Sequence, residues 1–291
     1  MIKFTEIYKS KKEKEKIKEK RKNIVNENHL RWIKYCNNNI YRFPNNILPK
    51  LSKKSENNAV LIEFRPMIHL EYIIRRFIYY LGKEWMYTIV CGKDNYDTIT
   101  NIVNKLSNNI TIVNLNISVK CVNEYNKVLL TPSFWERLDG KKILIHQEDS
   151  IIFKHFDNKY LKYDYIGAPW NKKFFQITKN NVGNGGLSLR SKDLMIYILN
   201  NYDYNKEKYD SFTQSRLKNR SIPLVPEDVF FVTMIEKYNI GKIAHFDIAK
   251  KFCIEWIYDK DTLCGHQWWK SKGNHSVFNF ENCELLNMNN I

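Results

Sequence analysis

In the stretch ILIHQEDS, residues 143–150, the carboxylates Glu148 and Asp149 follow an apolar run. Acids at the end of a buried strand suit a hard divalent cation that also holds substrate phosphates, and a polar turn leaving a sheet has the same composition. In VPEDVFF, residues 225–231, Glu227 and Asp228 stand where a helix begins. The helix dipole favours acids there, and one that faced a cleft would act as a general base. CGHQWW, residues 264–269, sets His266 beside Gly265 and two tryptophans. His266 is a metal ligand only if Asp149 lies close, and Trp268 and Trp269 pack in a core unless they stack on a sugar or base. VGNGGLSLRS, residues 182–191, holds three of the chain's 10 glycines within four positions. Glycine costs backbone entropy, so such a cluster points to positive φ or to something pressed against the main chain. The loop matches neither GxGxxG nor GxxxxGKS.

The elements that must position these residues read as alternating strands and helices. AVLIEF at 59–64 is a continuous apolar run of the kind buried on both faces of a sheet. Pro66 then marks a helix start, Leu70, Ile73, Ile74, Phe77, Ile78 and Leu81 recur at helical spacing, and Gly82 closes the helix. MYTIVCG (86–92) reads as a strand, TITNIVNKLSN (98–108) as a helix, and ITIVNLN (110–116) and the 143–145 run as strands. This order indicates a parallel sheet with crossover helices. Ligands collect beyond the carboxyl ends of such strands, which puts Glu63, Arg65, Gly92, Lys93 and Gln147 to Ser150 along one rim. The following segment, through YDYIGAPW and the glycine cluster, reads as loop up to a helix from about Ser191. A last helix carries Phe230, Phe231, Met234, Ile235 and Tyr238 on one face.

Composition narrows the class. With 291 residues, 43% hydrophobic, the chain can bury one large core or two small ones. Its six cysteines show no CxxC, which argues against a zinc cluster or disulfide framework and for free thiols in a reducing compartment. No leader-like segment opens the chain and no uncharged run approaches a membrane span, so a soluble, cytoplasmic protein is expected. A net charge of +16 favours anionic partners, but KSKKEKEKIKEKRK (9–22) supplies much of it and reads as a solvated helix or disordered arm. The expected division is a basic helical arm and connector over 1–57, serving oligomerisation or docking on an anionic surface, and one α/β domain over 58–291.

The series IHQEDS…YDYIGAPW…VGNGGLSLRS…PEDVFF…GHQWW, with VLIEFRPMIHLEYIIRRFIYYLG upstream, resembles an uncharacterised family of glycosyltransferase-type proteins with the GT-A fold. The resemblance covers roughly residues 58–270. It implies a Rossmann-related, mostly parallel sheet flanked by helices. It implies that Gln147, Glu148 and Asp149 stand in the place of a DxD-type motif, and that Asp149 and His266 bind Mn2+ or Mg2+ on a nucleotide-sugar donor, expected to be UDP-linked. Glu63, Arg65 and Gly92 would join Gln147, Glu148 and Asp149 around the donor. Asn184, Gly185, Gly186 and Arg190, with Trp170 and Trp268, would line the sugar and acceptor, the glycines letting the sugar approach the backbone. Asp228 would deprotonate an acceptor hydroxyl with inversion at the anomeric carbon, Glu227 being the rival base. Gln147 departs from the motif, which has an acid there, and this weakens the expected metal affinity.

Two other classes fit parts of the sequence. A metal-dependent nucleic-acid enzyme would use the charge, the acids and the aromatics, but much of the charge lies in the arm, and no stripe of Lys and Arg interleaves with aromatics. A non-catalytic nucleotide-sugar-binding module would explain Gln147.

Overall fold

A computed structural model describes residues 27–106, 108–171 and 176–270. The basic run 9–22 and Cys283 lie outside them. The described chain starts in helix α1, covering 27–38, and continues through β1 (Asn57–Ile62), α2 (Leu70–Leu81), β2 (Met86–Cys91), α3 (Tyr96–Leu106), β3 (Ile110–Asn114), α4 (Val122–Leu129), α5 (Pro132–Glu136) and β4 (Lys142–His146). The second half comprises β5 (Ser150–Ile152), β6 (Tyr165–Gly167), β7 (Leu187–Ser191), α6 (Lys192–Asn201), α7 (Ser211–Lys218), α8 (Glu227–Tyr238), α9 (Phe246–Phe252), β8 (Cys253–Ile254) and β9 (Cys264–His266).

The strands form a six-stranded sheet in the order β3-β2-β1-β4-β7-β6 and a smaller one in the order β5-β9-β8. β3, β2, β1 and β4 run parallel, and β7 lies antiparallel to both β4 and β6. The α/β class with a mostly parallel sheet flanked by helices is therefore as expected. The period-2 rule explains why β1 reads as a solid apolar run: Ala59 and Leu61 enter one core and Val60 and Ile62 the other, so both faces are covered. On α2, Leu70, Ile73, Ile74, Phe77, Ile78 and Leu81 are all buried, and Gly82 ends the helix at φ +80°. The helix starts four residues after Pro66 rather than beside it.

Three expectations need correction. LSLRS is strand β7, paired residue for residue with β4, where a loop was expected. On α8, Phe230, Phe231, Met234 and Ile235 are buried but Tyr238 is exposed, stacked on Tyr202 at 4.3 Å. The segment 27–57 does not stand apart as an arm: Trp32, Cys36, Phe43 and Leu51 are buried in the same core as α2 and β2. No helix among the described residues is long and apolar enough to cross a membrane.

Candidate functional site

The smaller sheet explains why residues a hundred positions apart meet. Its antiparallel pair sets Ser150 opposite His266, and its parallel pair sets Ile254 opposite Gly265. The residues flanking those pairs, Asp149 and Glu255, are thereby brought to the two sides of His266. Nε2 of His266 lies 3.2 Å from Asp149 Oδ1, and Nδ1 lies 3.8 Å from Glu255 Oε1. Gln267 fixes Asp149 by donating its side-chain amide to Oδ2 and its backbone N–H to the carbonyl, the latter at 3.0 Å. Nothing in the sequence around Glu255 marks it as a site residue. Only the register of two-residue β8 points to it, and nothing in the local pattern marks so short a strand.

The turn before β7 ties this sheet to α8. Asn184, at φ +86°, accepts from the N–H groups of Gly186 (2.8 Å) and Leu187 (3.1 Å) through Oδ1, an Asx-type turn that Asn tolerates at positive φ. Its Nδ2 donates to Glu255 Oε2 at 3.2 Å and its backbone N–H to Asp228 Oδ2 at 3.0 Å. One asparagine thus holds two carboxylates in place. Asp228 also accepts from the Val229 N–H at 2.9 Å in the first turn of α8. It is half-buried, and burial together with neighbouring Glu227 pushes its carboxyl up to about 6.

The glycines of this turn serve the protein's own side chains. A Cβ on Gly183 would fall 1.9 Å from the Trp170 ring, on Gly185 2.3 Å from Glu227, and on Gly186 2.1 Å from His266 Nε2. The space expected for a sugar against the backbone is filled by three residues of the fold, so each glycine is needed for internal close packing.

Several expected ligand contacts have structural partners instead. Glu227 and Arg190 form a two-bonded ion pair, at 2.5 and 3.0 Å, with both side chains at most 1% exposed. The Arg190 guanidinium lies over the rings of Tyr165, Trp135 and Phe231 at 4.9–5.7 Å. This closes Glu227 off as a base and Arg190 off as a contact for the sugar or acceptor. Trp268 is buried edge-on to Trp32 at 4.8 Å, in the core rather than against a ligand, and Trp170 covers Gly183. Gly92 is held by backbone packing, since a Cβ there would meet the Ile117 carbonyl at 2.2 Å. His146 stacks on Phe77 at 3.8 Å, and burial lowers its pKa to about 3, so it stays neutral.

At the carboxyl ends of β1 and β4 a second cluster forms. Glu63 accepts from Arg65 Nε and Nη2, both at 2.8 Å, and Arg65 Nη2 reaches Glu148 at 3.2 Å. Glu148, itself buried, also accepts from His29 at 2.8 Å and His69 at 3.0 Å. Burial alone would raise its carboxyl, yet the bonds from His29 and His69 hold it below the usual range. His29 rises in return, chiefly through its bond to Glu148. Trp32 donates to the Glu148 carbonyl at 2.9 Å. Gln147 spends its backbone N–H on Ser150 Oγ at 3.1 Å.

Among the described residues no group of three or more His, Cys, Asp or Glu is arranged to hold a metal. The pair Asp149–His266 fits two adjacent positions on a six-coordinate cation, since ligands at about 2.1 Å subtending about 90° lie about 3 Å apart. The remaining positions would fall to phosphate oxygens and water, a common arrangement for Mg2+-like ions. A depression of about 420 Å³ lies elsewhere, at the strands' amino ends, lined by Ser52, Lys53, Met86, Tyr87, Asn108, Asn109, Ile110 and Thr111, none of them an acid or a histidine.

The chain matches no curated protein. Residues 109–268 match a family described as "Protein of unknown function (DUF5672)", a stretch that runs from β3 to the residue beyond Gln267 and takes in Asp149, Asn184, Asp228, Glu255 and His266. With more than half of its length matched, the chain belongs to the DUF5672 family.

Proposed function

We propose that this protein is a GT-A-type glycosyltransferase that moves a sugar from a nucleotide-sugar donor, UDP-linked, to a hydroxyl acceptor. The reading rests on one observation above the others: a half-buried carboxylate with a raised pKa, Asp228, is tethered through Asn184 to the Asp149–His266–Glu255 group. The sheet order, with a parallel half followed by antiparallel β7, is compatible with that fold.

Asp228 takes the proton of the acceptor hydroxyl, whose oxygen bonds to the anomeric carbon as the bond from that carbon to the diphosphate breaks. The nucleoside diphosphate leaves with the electron pair. A carboxyl at about 6 is ionised at neutral pH and more basic than a surface acid, which suits a general base. Attack by the acceptor itself, with no covalent enzyme intermediate, inverts the anomeric centre. Asp149 and His266 would hold Mn2+ or Mg2+, which when bound neutralises charge on the leaving diphosphate. Gln267 and Glu255 orient those two residues. Transfer rate should fall as pH drops through about 6, because the protonated base cannot accept the hydroxyl proton.

A panel of nucleotide sugars tests this through thermal stabilisation and slow donor hydrolysis, with and without manganese. One donor is expected to raise the melting temperature and to be hydrolysed. No stabilisation by any nucleotide sugar or nucleoside diphosphate would overturn the reading.

A further inference from the structure

Helix α1 lies before the matched family region, yet it reaches the rim beside Asp149. Its His29 bonds both Glu148 oxygens, at 2.8 and 3.1 Å, and its ring stacks on Trp269, three residues after His266. Trp32, one turn on, anchors the helix: it is fully buried, bonded to the Glu148 carbonyl and packed on Trp268. Across Glu148 from His29 stands Arg65. Both basic side chains bond Glu148, Arg65 while also bonded twice to Glu63, and both remain open to solvent, His29 with 29% and Arg65 with 53% of the side chain exposed. The ring geometry turns His29 Nδ1 away from Glu148, and the Glu63 and Glu148 bonds use Arg65 Nε and Nη2 but not Nη1. Arg65 therefore carries N–H donors outside the cluster, and so does His29 when its ring is protonated, a state that the bond to Glu148 favours. A buried acid that holds two part-exposed cations stiffly at a strand-end rim builds an anion site whose donors need no reordering when the anion arrives.

We propose that His29 and Arg65 together form the cationic wall of a diphosphate-binding subsite beside Asp149, so that the helix before the matched region completes the site. The assignment deepens the proposed function and rests on it for the nature of the donor. The diphosphate of a nucleotide would lie with one side toward Asp149 and His266 and the other toward His29 and Arg65. The acids Glu63 and Glu148 keep the cations charged and fixed rather than competing for the ligand, because their oxygens are already engaged.

Calorimetric titration of the full chain with UDP, uridine and inorganic pyrophosphate, in manganese buffer, tests the wall. His29→Gln and Arg65→Gln are each expected to weaken UDP and pyrophosphate binding by roughly ten- to a hundredfold, the scale of a hydrogen bond to a charged group, and to leave uridine affinity unchanged. His29→Arg, which restores a cation, should recover most of the loss. Wild-type UDP affinity in both Gln variants would overturn the proposal, as would an equal loss for uridine. Should His29→Gln fail to fold, Arg65→Gln, at an exposed position, still decides. Pyrophosphate binding that depends on His29 in a protein that binds no UDP would support the subsite and defeat the sugar-donor reading. Binding of neither ligand by the wild type would defeat both.

Discussion

Glu227 and Glu148 are both almost wholly buried and both bound by an arginine, yet the two clusters differ in closure. Around Glu227 the partner is inside: Arg190 is as buried as the acid and is covered by three aromatic rings. Around Glu148 one partner, His69, is buried, but two face outward, His29 and Arg65 keeping 29% and 53% of their side chains exposed. A guanidinium with all its surroundings supplied by the fold is structural, whereas one held by an acid and left open can meet a ligand. The same contrast separates Glu227 from its neighbour. Asp228 is half-buried and bonded only to backbone N–H groups, so its carboxylate is positioned without being neutralised.

The largest effect expected from this contrast is on stability. Arg190→Ala leaves Glu227 charged and buried with no counter-ion, a change that costs about 3–5 kcal/mol. Denaturant unfolding would measure it, and a loss under 1 kcal/mol would show that the closed cluster is not what its burial implies. A smaller effect of opposite sign is expected at Asp228. Its carboxyl is raised from 3.8 to about 6, so ionisation is disfavoured in the folded state. The ionised group costs stability fully above about pH 6, and that cost vanishes below about pH 4. Asp228→Asn should therefore stabilise the protein by about 1 kcal/mol at pH 7–8, after allowance for one lost acceptor, with the gain fading toward pH 4. Melting curves across that range would show it. Arg65→Ala is expected to cost least, at most about 1 kcal/mol, because its guanidinium is half exposed and water can take its place beside the acids. A loss as large as that of Arg190→Ala would erase the distinction between the clusters.

The sequence makes the first half of the fold legible because the two-sided burial of β1, β2 and β4 writes itself as continuous apolar runs, and α2 as a clean helical stripe. Strand β7 is hidden because it follows directly on a glycine turn and has only two large apolar residues, Leu187 and Leu189. Asp149, His266 and Asp228 are singled out as candidates by residue type and order together with the family resemblance. Their neighbours are less legible. Glu255 depends on a two-residue strand, and His29 on a helix that its polar composition assigns to a detached arm, although Trp32 and Cys36 bury its other face. Nor does residue type distinguish Glu227 from Asp228, since what separates them is Arg190, a partner 37 positions away.

The proposed base of the sugar transfer is Asp228 and not Glu227. The most direct test compares transfer rates of Asp228→Asn and Glu227→Gln, each corrected for the folded fraction and for nucleotide affinity. Asp228→Asn should fold, bind the donor nucleotide normally and lose roughly 10²–10⁴ in rate. Glu227→Gln should lose stability first, with the folded fraction keeping most of its turnover. Near-wild-type transfer by Asp228→Asn would contradict the account.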